Sequence, residues 1–188
     1  MKIKKGEYGY RDHNRKVRLF ITLLLIAGIL AQVAWRFFTD NQALKNILTV
    51  MAILTVLPMA NMASPLLASW KYRTGKASFY SQVKPYENDI CILYDLIVTT
   101  KEQIIPLDAA AVHPGGVYAY CPSAKVNGKK AEKDISGILT ANRMPGNVKI
   151  IQDERSFLKR LESLKPASEY EDDGSVAYTA QILKNISM

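Results

Sequence analysis

The chain has 188 residues, with 25 Lys and Arg against 17 Asp and Glu, two His and two Cys. This length suits about one typical domain of roughly 100–200 residues. Two cysteines exclude a disulfide-rich scaffold and a four-cysteine zinc site, and two histidines exclude a histidine-rich metal cluster. An apolar content of 48% excludes a disordered chain.

The net charge of +8 is concentrated beside apolar segments. Residues 1–18 hold seven basic and two acidic residues. A second group of basic residues, with no acidic residue between them, consists of Lys71, Arg73, Lys76 and Lys84. Positive charge beside apolar helices marks the cytoplasmic side of a membrane. We therefore expect the second group to bind anionic lipid headgroups, at about 1 kcal/mol per charge, and we do not expect nucleic acid as a partner.

Two uncharged runs, residues 19–35 and 46–70, are long enough to cross a bilayer. They predict transmembrane helices over 19–38 and 45–65, after a basic cytoplasmic N-terminus over 1–18. A cleaved signal peptide is disfavoured, because the first run is long and a second span follows it directly. The sequence thus predicts a two-pass integral protein of the plasma membrane with both termini in the cytoplasm. In that reducing compartment Cys91 and Cys121 are expected to be thiols.

Polar and helix-breaking residues interrupt the second run. Pro58, Asn61 and Pro65 indicate either a helix–helix contact or a helix that simply ends near Ala63. A pair of small residues in the first run, Ala27 and Ala31, would permit close packing with another helix. Membrane lipid is thus the expected environment, and the helical hairpin is a candidate surface for a protein partner or a homo-oligomer.

The sequence after the second predicted transmembrane helix predicts three segments. They are a basic juxtamembrane helix over 66–84, an α/β domain over 85–164, and an acidic linker with a C-terminal helix over 165–188. Apolar patterns predict strands at 90–98, 103–112, 117–121 and 148–151, and helices at 131–142, 153–164 and 175–186. Pro106 suggests a sheet edge or a bulge, residues 99–102 a turn and residues 113–116 a tight turn, and Asp153 is expected to cap the helix that follows it. The fold class is α/β: an N-terminal two-helix transmembrane hairpin, then a small cytoplasmic α-βββ-α-β-α domain.

The segment from Ile105 to Cys121, IPLDAAAVHPGGVYAYC, resembles the central motif of the nuclease-related domain (NERD) family. That motif runs Ile-Asp-His, then hydrophobic residues, then Gly-Val-Phe-Val-Ile-Glu-Thr-Lys. The resemblance extends over about residues 75–164 and implies a restriction-endonuclease-like fold. It also implies a Mg²⁺ or Mn²⁺ site in which an Asp and a Glu bind the metal and a Lys activates water.

Only part of that implied site is present. Asp108 matches the Asp, but Cys121 stands at the Glu position and Ser123 at the Lys position, and Gly75-Lys76 replaces an upstream Gly-Glu pair. Cysteine is a poor ligand for Mg²⁺. Asp95 and Lys125 are the weaker candidates for relocated catalytic groups. No catalytic residue, cofactor or metal is therefore expected unless the chain is a nuclease with Asp108 at its centre.

Three hypotheses remain open. The first is a membrane-anchored cytoplasmic binding or assembly module on a catalytically degenerate nuclease-like fold. The second is an active membrane-tethered metal-dependent nuclease with relocated ligands. The third is an accessory subunit of a larger membrane complex. Cys121 is more typical of a small buried hydrophobic residue than of a nucleophile, and His113 is more typical of a turn.

Overall fold

The structure is a computed structural model that describes residues 3–100, 102–166, 169–170 and 173–188. The chain divides into two compact units. One comprises residues 1–11 with 72–188, and the other is Asp12–Lys71. The sequence predicted an α/β domain that begins at residue 85, whereas the compact unit also takes in residues 72–84 and a segment from the N-terminus.

The helical unit contains most of two long apolar helices, α1 (Tyr10–Phe38) and α2 (Gln42–Ser69). Both are long and apolar enough to cross a membrane, and almost none of either apolar stretch is buried. A core helix of a water-soluble domain would be mostly buried. Asn41 caps α2 by accepting hydrogen bonds from the backbone N–H groups of Ala43 and Leu44.

The prediction that the second helix ends near Ala63 is wrong. α2 continues through Pro58 and Pro65 to Ser69, and Asn61 is exposed on it. Proline is tolerated within long apolar helices where nearby groups satisfy the freed backbone.

The helix predicted over 66–84, in which Gly75 is a possible break, is interrupted around that glycine. Residues 72–76 are not helical, and Lys76 has an extended backbone. A short helix α3 (Ala77–Val83) and a 3₁₀ turn (Lys84–Asn88) follow. The apolar and basic pattern resembled a continuous helix, but the extended segment brings Gly75 against the sheet, where its N–H and C=O both find partners.

A four-stranded sheet forms the centre of the α/β unit. It comprises β1 (Cys91–Thr99), β2 (Ile104–His113), β3 (Gly116–Tyr120) and β4 (Val148–Ile151), in that spatial order. The first two pairs are antiparallel, and β3 with β4 is parallel. The mixed α/β fold and the order of strands and helices along the chain agree with the prediction. The turn predicted at 99–102 includes residue 101, which lies outside the described residues.

Helices cover both faces of the sheet. One core lies beneath α4 (Gly128–Ala141) and α6 (Ser175–Asn185), and its centre includes Leu96, Leu139 and Leu183. The other lies beneath α3 and α5 (Glu154–Glu162), around Phe79 and Phe157. Because α6 packs into the first core, it belongs to the domain, and the predicted boundary at 165 does not separate it. Of the acidic linker, residues 167–168 and 171–172 lie outside the described part of the chain.

Local signals fixed several element ends as predicted. Asp153 caps α5 by accepting from the Ser156 N–H at 2.8 Å. His113 pairs with Gly116 across the β2–β3 turn, and its Nδ1 accepts from the Gly115 N–H at 3.0 Å, so it is a turn residue. Pro106 lies in the part of β2 that β1 pairs but β3 does not reach, which makes that stretch a local sheet edge.

The outer edge of β1 is partly covered by both ends of the chain. The Tyr94 N–H donates to the Gly6 carbonyl at 2.8 Å, and the Met188 N–H donates to the Ile97 carbonyl at 2.9 Å. Covering an edge in this way prevents unwanted strand pairing. The N-terminal segment is therefore part of the domain as well as the start of α1.

Candidate functional site: a buried arginine between two aspartates

The side chains of β1 and β2 switch the face to which they point at the same level of the two strands. Residues of β1 on the α4–α6 side are Leu93 and then Leu96, and those of β2 are Leu107 and then Ala110. In a regular strand, one residue lies between two successive side chains on the same face. Here two residues lie between Leu93 and Leu96, and two between Leu107 and Ala110, so the face to which side chains point shifts in both strands at the same level. The positions where it shifts, Asp95 and Asp108, lie opposite each other in the register.

Asp95 has a left-handed backbone, with φ of 55°. Such a conformation is uncommon for residues other than glycine, although Asp is among those that tolerate it. Its carboxylate is held in place by two backbone donors, the Gly9 N–H at 2.7 Å and the Gly75 N–H at 3.3 Å. Its side chain is completely buried. A buried acid on a strained backbone is typical of a functional site or of its remnant.

Arg11 provides the positive charge for both aspartates. Its Nη1 lies 2.6 Å from Asp108 Oδ1, and its Nε lies 3.9 Å from Asp95 Oδ1. The same guanidinium donates to the carbonyls of Arg73, at 2.9 Å, and Leu96, at 3.0 Å. Only 3% of the arginine side chain is exposed. The planar, multi-donor guanidinium suits this position because it satisfies acceptors in several directions at once.

The electrostatics of the cluster are unbalanced. One guanidinium faces two carboxylic acids, both removed from water. Burial raises the pKa of Asp108; Arg11 opposes that shift, and the neighbouring Asp95 adds to it. A proton on Asp108 would leave the group of three with no net charge, which is the state that a low-dielectric site favours.

Close packing leaves little space beside Asp108. A Cβ atom added to Gly75 would lie 3.1 Å from both Cγ and Oδ2 of Asp108. The Tyr8 hydroxyl donates to the Gly75 carbonyl at 3.1 Å, which ties the N-terminal segment to the same position. Gly9, whose N–H binds Asp95, has φ of 88°, a conformation that favours glycine.

Cys121, at the Glu position of the nuclease motif, and Lys125, a candidate for a relocated catalytic group, do not join this cluster. Cys121 is fully buried in the core beneath α4 and α6, and burial raises the pKa of its thiol. Lys125 is exposed in the turn after β3 and makes no ion pair with either aspartate among the described contacts. The donors present therefore do not fit a divalent cation, because a guanidinium already lies against the carboxylate that would bind it.

Sequence reasoning placed Asp95 and Asp108 as candidates, and the structure brings these two together. It missed Arg11, which was grouped with the basic residues flanking the first apolar run. One signal was present: glycines at positions 6 and 9, with Tyr8 between them, indicate turns immediately before Arg11. The basic residues Lys71, Arg73, Lys76 and Lys84 are all exposed.

No protein-family model, curated protein or solved structure matches this chain. The resemblance to the nuclease-related domain therefore stays a prediction.

Proposed function

We propose that this chain is a non-catalytic, membrane-anchored protein whose α/β unit is a cytoplasmic binding or assembly module. The observation that carries the proposal is the ion-pair cluster of Arg11, Asp95 and Asp108. In a metal-dependent nuclease the two carboxylates would hold a divalent cation. Here a guanidinium from the same chain lies against both of them, and its hydrogen bonds attach the N-terminal segment to the sheet.

Membrane anchoring is supported by the exposure of large apolar side chains along α1 and α2. Phe20, Leu30 and Leu57 are each more than 60% exposed. Continuous apolar surface of this kind is rare in water-soluble monomers. A lipid bilayer would cover it without a protein partner. The exposed basic residues Arg73, Lys76 and Lys84 would then attract anionic headgroups on the side where the α/β unit lies.

A common side for both flanks is supported by the chain's connectivity. Residues 3–11 and 72–188 pack into one unit, so the chain leaves that unit before Asp12 and re-enters it after Lys71. A helical pair that crosses the membrane would begin and end on the same side. The basic flanks make that side the cytoplasm.

Topology is tested by labelling with a membrane-impermeant thiol reagent in intact cells. A cysteine introduced by Asp40→Cys, in the short connection between α1 and α2, should be labelled from outside. A cysteine introduced at the exposed Lys125 should be labelled only after the cells are opened. Labelling of Lys125→Cys from outside would overturn the cytoplasmic placement.

The absence of nuclease chemistry is tested on the full chain in detergent micelles. Addition of millimolar Mg²⁺ or Mn²⁺ should not change the unfolding midpoint of the α/β unit, because a ligand raises stability only if it binds the folded state. Asp108→Asn serves as the matched variant. A metal-dependent rise that disappears in Asp108→Asn, together with metal-dependent cleavage of DNA or RNA, would instead establish the tethered nuclease.

An assembly role is tested by the mass of the protein in lipid nanodiscs and by the proteins that co-purify with it. Substitution of Asn61, an exposed amide on the apolar helix α2, by Leu should change the oligomer or the set of partners if the helices form the contact. Unchanged mass and partners would leave α1 and α2 as an anchor alone and assign binding to the α/β unit.

A further inference from the structure

Helix α2 carries a continuous, largely exposed stripe on one side. Its members recur at alternating intervals of three and four residues, which is the spacing of the a and d positions of a heptad repeat. This α2 stripe consists of Ile47, Val50, Leu54, Leu57, Asn61, Ser64 and Ala68. Its four large apolar residues are each more than half exposed. The buried residues of the helix, Ala52 and Leu66, lie on the opposite side.

Asn61 lies in the apolar interior of the bilayer when α2 crosses it. Trp70 is the residue at which the helix ends, and a tryptophan at a helix end prefers the membrane interface. Trp70 follows Asn61 by nine positions, which is about 14 Å of helix, and half of the apolar core is about 15 Å thick. Asn61 is therefore close to the bilayer midplane, where an exposed amide is costly unless a hydrogen-bond partner reaches it.

The chain itself supplies no such partner within its described residues. The Asn61 side chain is exposed and makes no hydrogen bond among them. The hydroxyl groups of α2 behave differently, because those of Thr49, Thr55 and Ser64 each donate to the carbonyl four residues earlier in the same helix. The amide of Asn61 thus needs a partner from outside the helix that carries it.

The two prolines of α2 add unsatisfied backbone groups to the same stripe. Pro65 has no N–H to donate to the Asn61 carbonyl, and Pro58 likewise leaves the Leu54 carbonyl without its helical donor. Neighbouring helices are one source of the groups that satisfy a backbone freed by proline. Both carbonyls belong to residues of the α2 stripe, so side-chain and backbone groups independently indicate that another helix packs there.

We infer that α2 pairs along this stripe with α2 of a second copy of the chain, in a parallel dimer with two-fold symmetry. The inference rests on the proposed function, because it requires α2 to cross the membrane. Two copies inserted with the same topology bring Asn61 to the same depth, whereas an unlike partner would have to supply its own polar group there. A carboxamide has both donors and an acceptor, so two Asn61 side chains can exchange hydrogen bonds across the two-fold axis.

The remaining residues of the stripe suit such a pair. Leu54 and Leu57 supply large side chains that interlock as a and d residues, and a single Asn at an a position fixes register and the number of strands. On the other side of Asn61, the small residues Ser64 and Ala68 let two backbones approach closely. No charged residue lies on the stripe to oppose the association of two identical helices.

The interface is tested by disulfide trapping of the full chain in lipid vesicles. Leu57→Cys and Ser64→Cys, both at d positions, should each give a cross-linked product of twice the chain mass of 21.0 kDa. Val56→Cys and Met62→Cys are the matched controls, because both side chains are exposed at nearly the same depths but lie off the stripe. Their yields should stay at the background that the two native thiols give in the wild-type chain.

The role of Asn61 is tested in the Leu57→Cys reporter, trapped with a brief pulse of oxidant over a series of protein-to-lipid ratios. Asn61→Leu should raise the ratio needed for half-maximal trapping by about 3- to 20-fold, the range expected for one hydrogen bond between membrane helices. Asn61→Gln keeps the amide and should restore part of that loss. Asn46→Leu, exposed near the start of α2 and outside the stripe, should leave the ratio unchanged.

Three results would each overturn the dimer: equal trapping at Leu57→Cys and Val56→Cys, a product whose mass is not twice that of the chain, or unchanged trapping in Asn61→Leu. Extraction with alkaline carbonate separates this failure from failure of the proposed function. A chain that stays in the membrane but is not trapped refutes the dimer alone. A chain that carbonate releases refutes membrane anchoring as well.

Discussion

Replacement of Arg11 by methionine removes the only positive charge from the buried cluster and keeps most of the apolar stem. Asp95 and Asp108 then face each other with no compensating charge, and the carbonyls of Arg73 and Leu96 lose a donor. Removal of one partner from a buried ion pair costs about 3–5 kcal/mol. This is a large share of the roughly 5–15 kcal/mol that stabilises a typical domain. We therefore expect Arg11→Met to lose about 3–5 kcal/mol of unfolding free energy at pH 7.

The loss should depend on pH in a definite direction. Burial raises the pKa of Asp108 above its unfolded value, although Arg11 limits the shift. A group whose folded-state pKa is raised contributes stability below its unfolded pKa, about 3.9 for Asp. That contribution is lost as pH rises through the folded pKa. Without Arg11 the pKa of Asp108 should rise further, so the penalty of Arg11→Met should be lower near pH 4, where only the lost carbonyl hydrogen bonds remain, and grow toward pH 7.

The assay must report the α/β unit. Both tryptophans, Trp35 and Trp70, lie outside that unit, so tryptophan fluorescence would follow the helical unit. Hydrogen exchange of β1 and β2 peptides, or proteolysis of the full chain in urea, measures the correct transition. Lys149→Met is the matched control, because it removes the same charge from an exposed ion pair with Glu132 within the α/β unit. That control should lose less than about 1 kcal/mol.

A second variant separates the ion pair from simple packing. Asp108→Asn added to Arg11→Met removes one uncompensated acid and should restore at least about 1 kcal/mol, measured as a coupling energy in a double-mutant cycle. The reasoning is refuted if Arg11→Met costs no more than Lys149→Met at pH 7. It is refuted equally if its cost is the same at pH 4 and pH 7.

Further predictions concern glycine packing and the two thiols. Gly75→Ala places a methyl group 3.1 Å from the Asp108 carboxyl carbon and should destabilise the unit by about 1–3 kcal/mol in hydrogen exchange. Gly137→Ala, within α4 and with no atom within 4 Å of its new methyl group, should instead stabilise by up to about 1 kcal/mol. A neutral thiol reagent followed by mass spectrometry should modify half-buried Cys91 in the native protein and Cys121 only on unfolding; native modification of Cys121 first would contradict its place in the core.

Local patterns in the sequence determined much of the fold. The long uncharged runs predicted both apolar helices. A helix of that length and apolar composition can be recognised from the sequence alone, without knowledge of its contacts with distant residues. The Pro-Gly-Gly sequence after His113 predicted the β2–β3 turn, and Asp153 predicted the start of α5. Each of these features depends on residues within a few positions of one another, where backbone preference and capping decide the outcome.

Only the tertiary structure decided what the candidate site contains. Arg11 contacts Asp95 and Asp108, which lie 84 and 97 residues away from it in sequence. In composition and charge it did not differ from the other basic residues beside the first apolar run. Likewise, the pattern over 66–84 resembled one helix, but the contacts of Gly75 with the sheet require an extended segment. Buried charges must find compensation wherever the fold supplies it. That requirement acts through space, and so the partner of Asp108 depends on the folded arrangement of the whole unit.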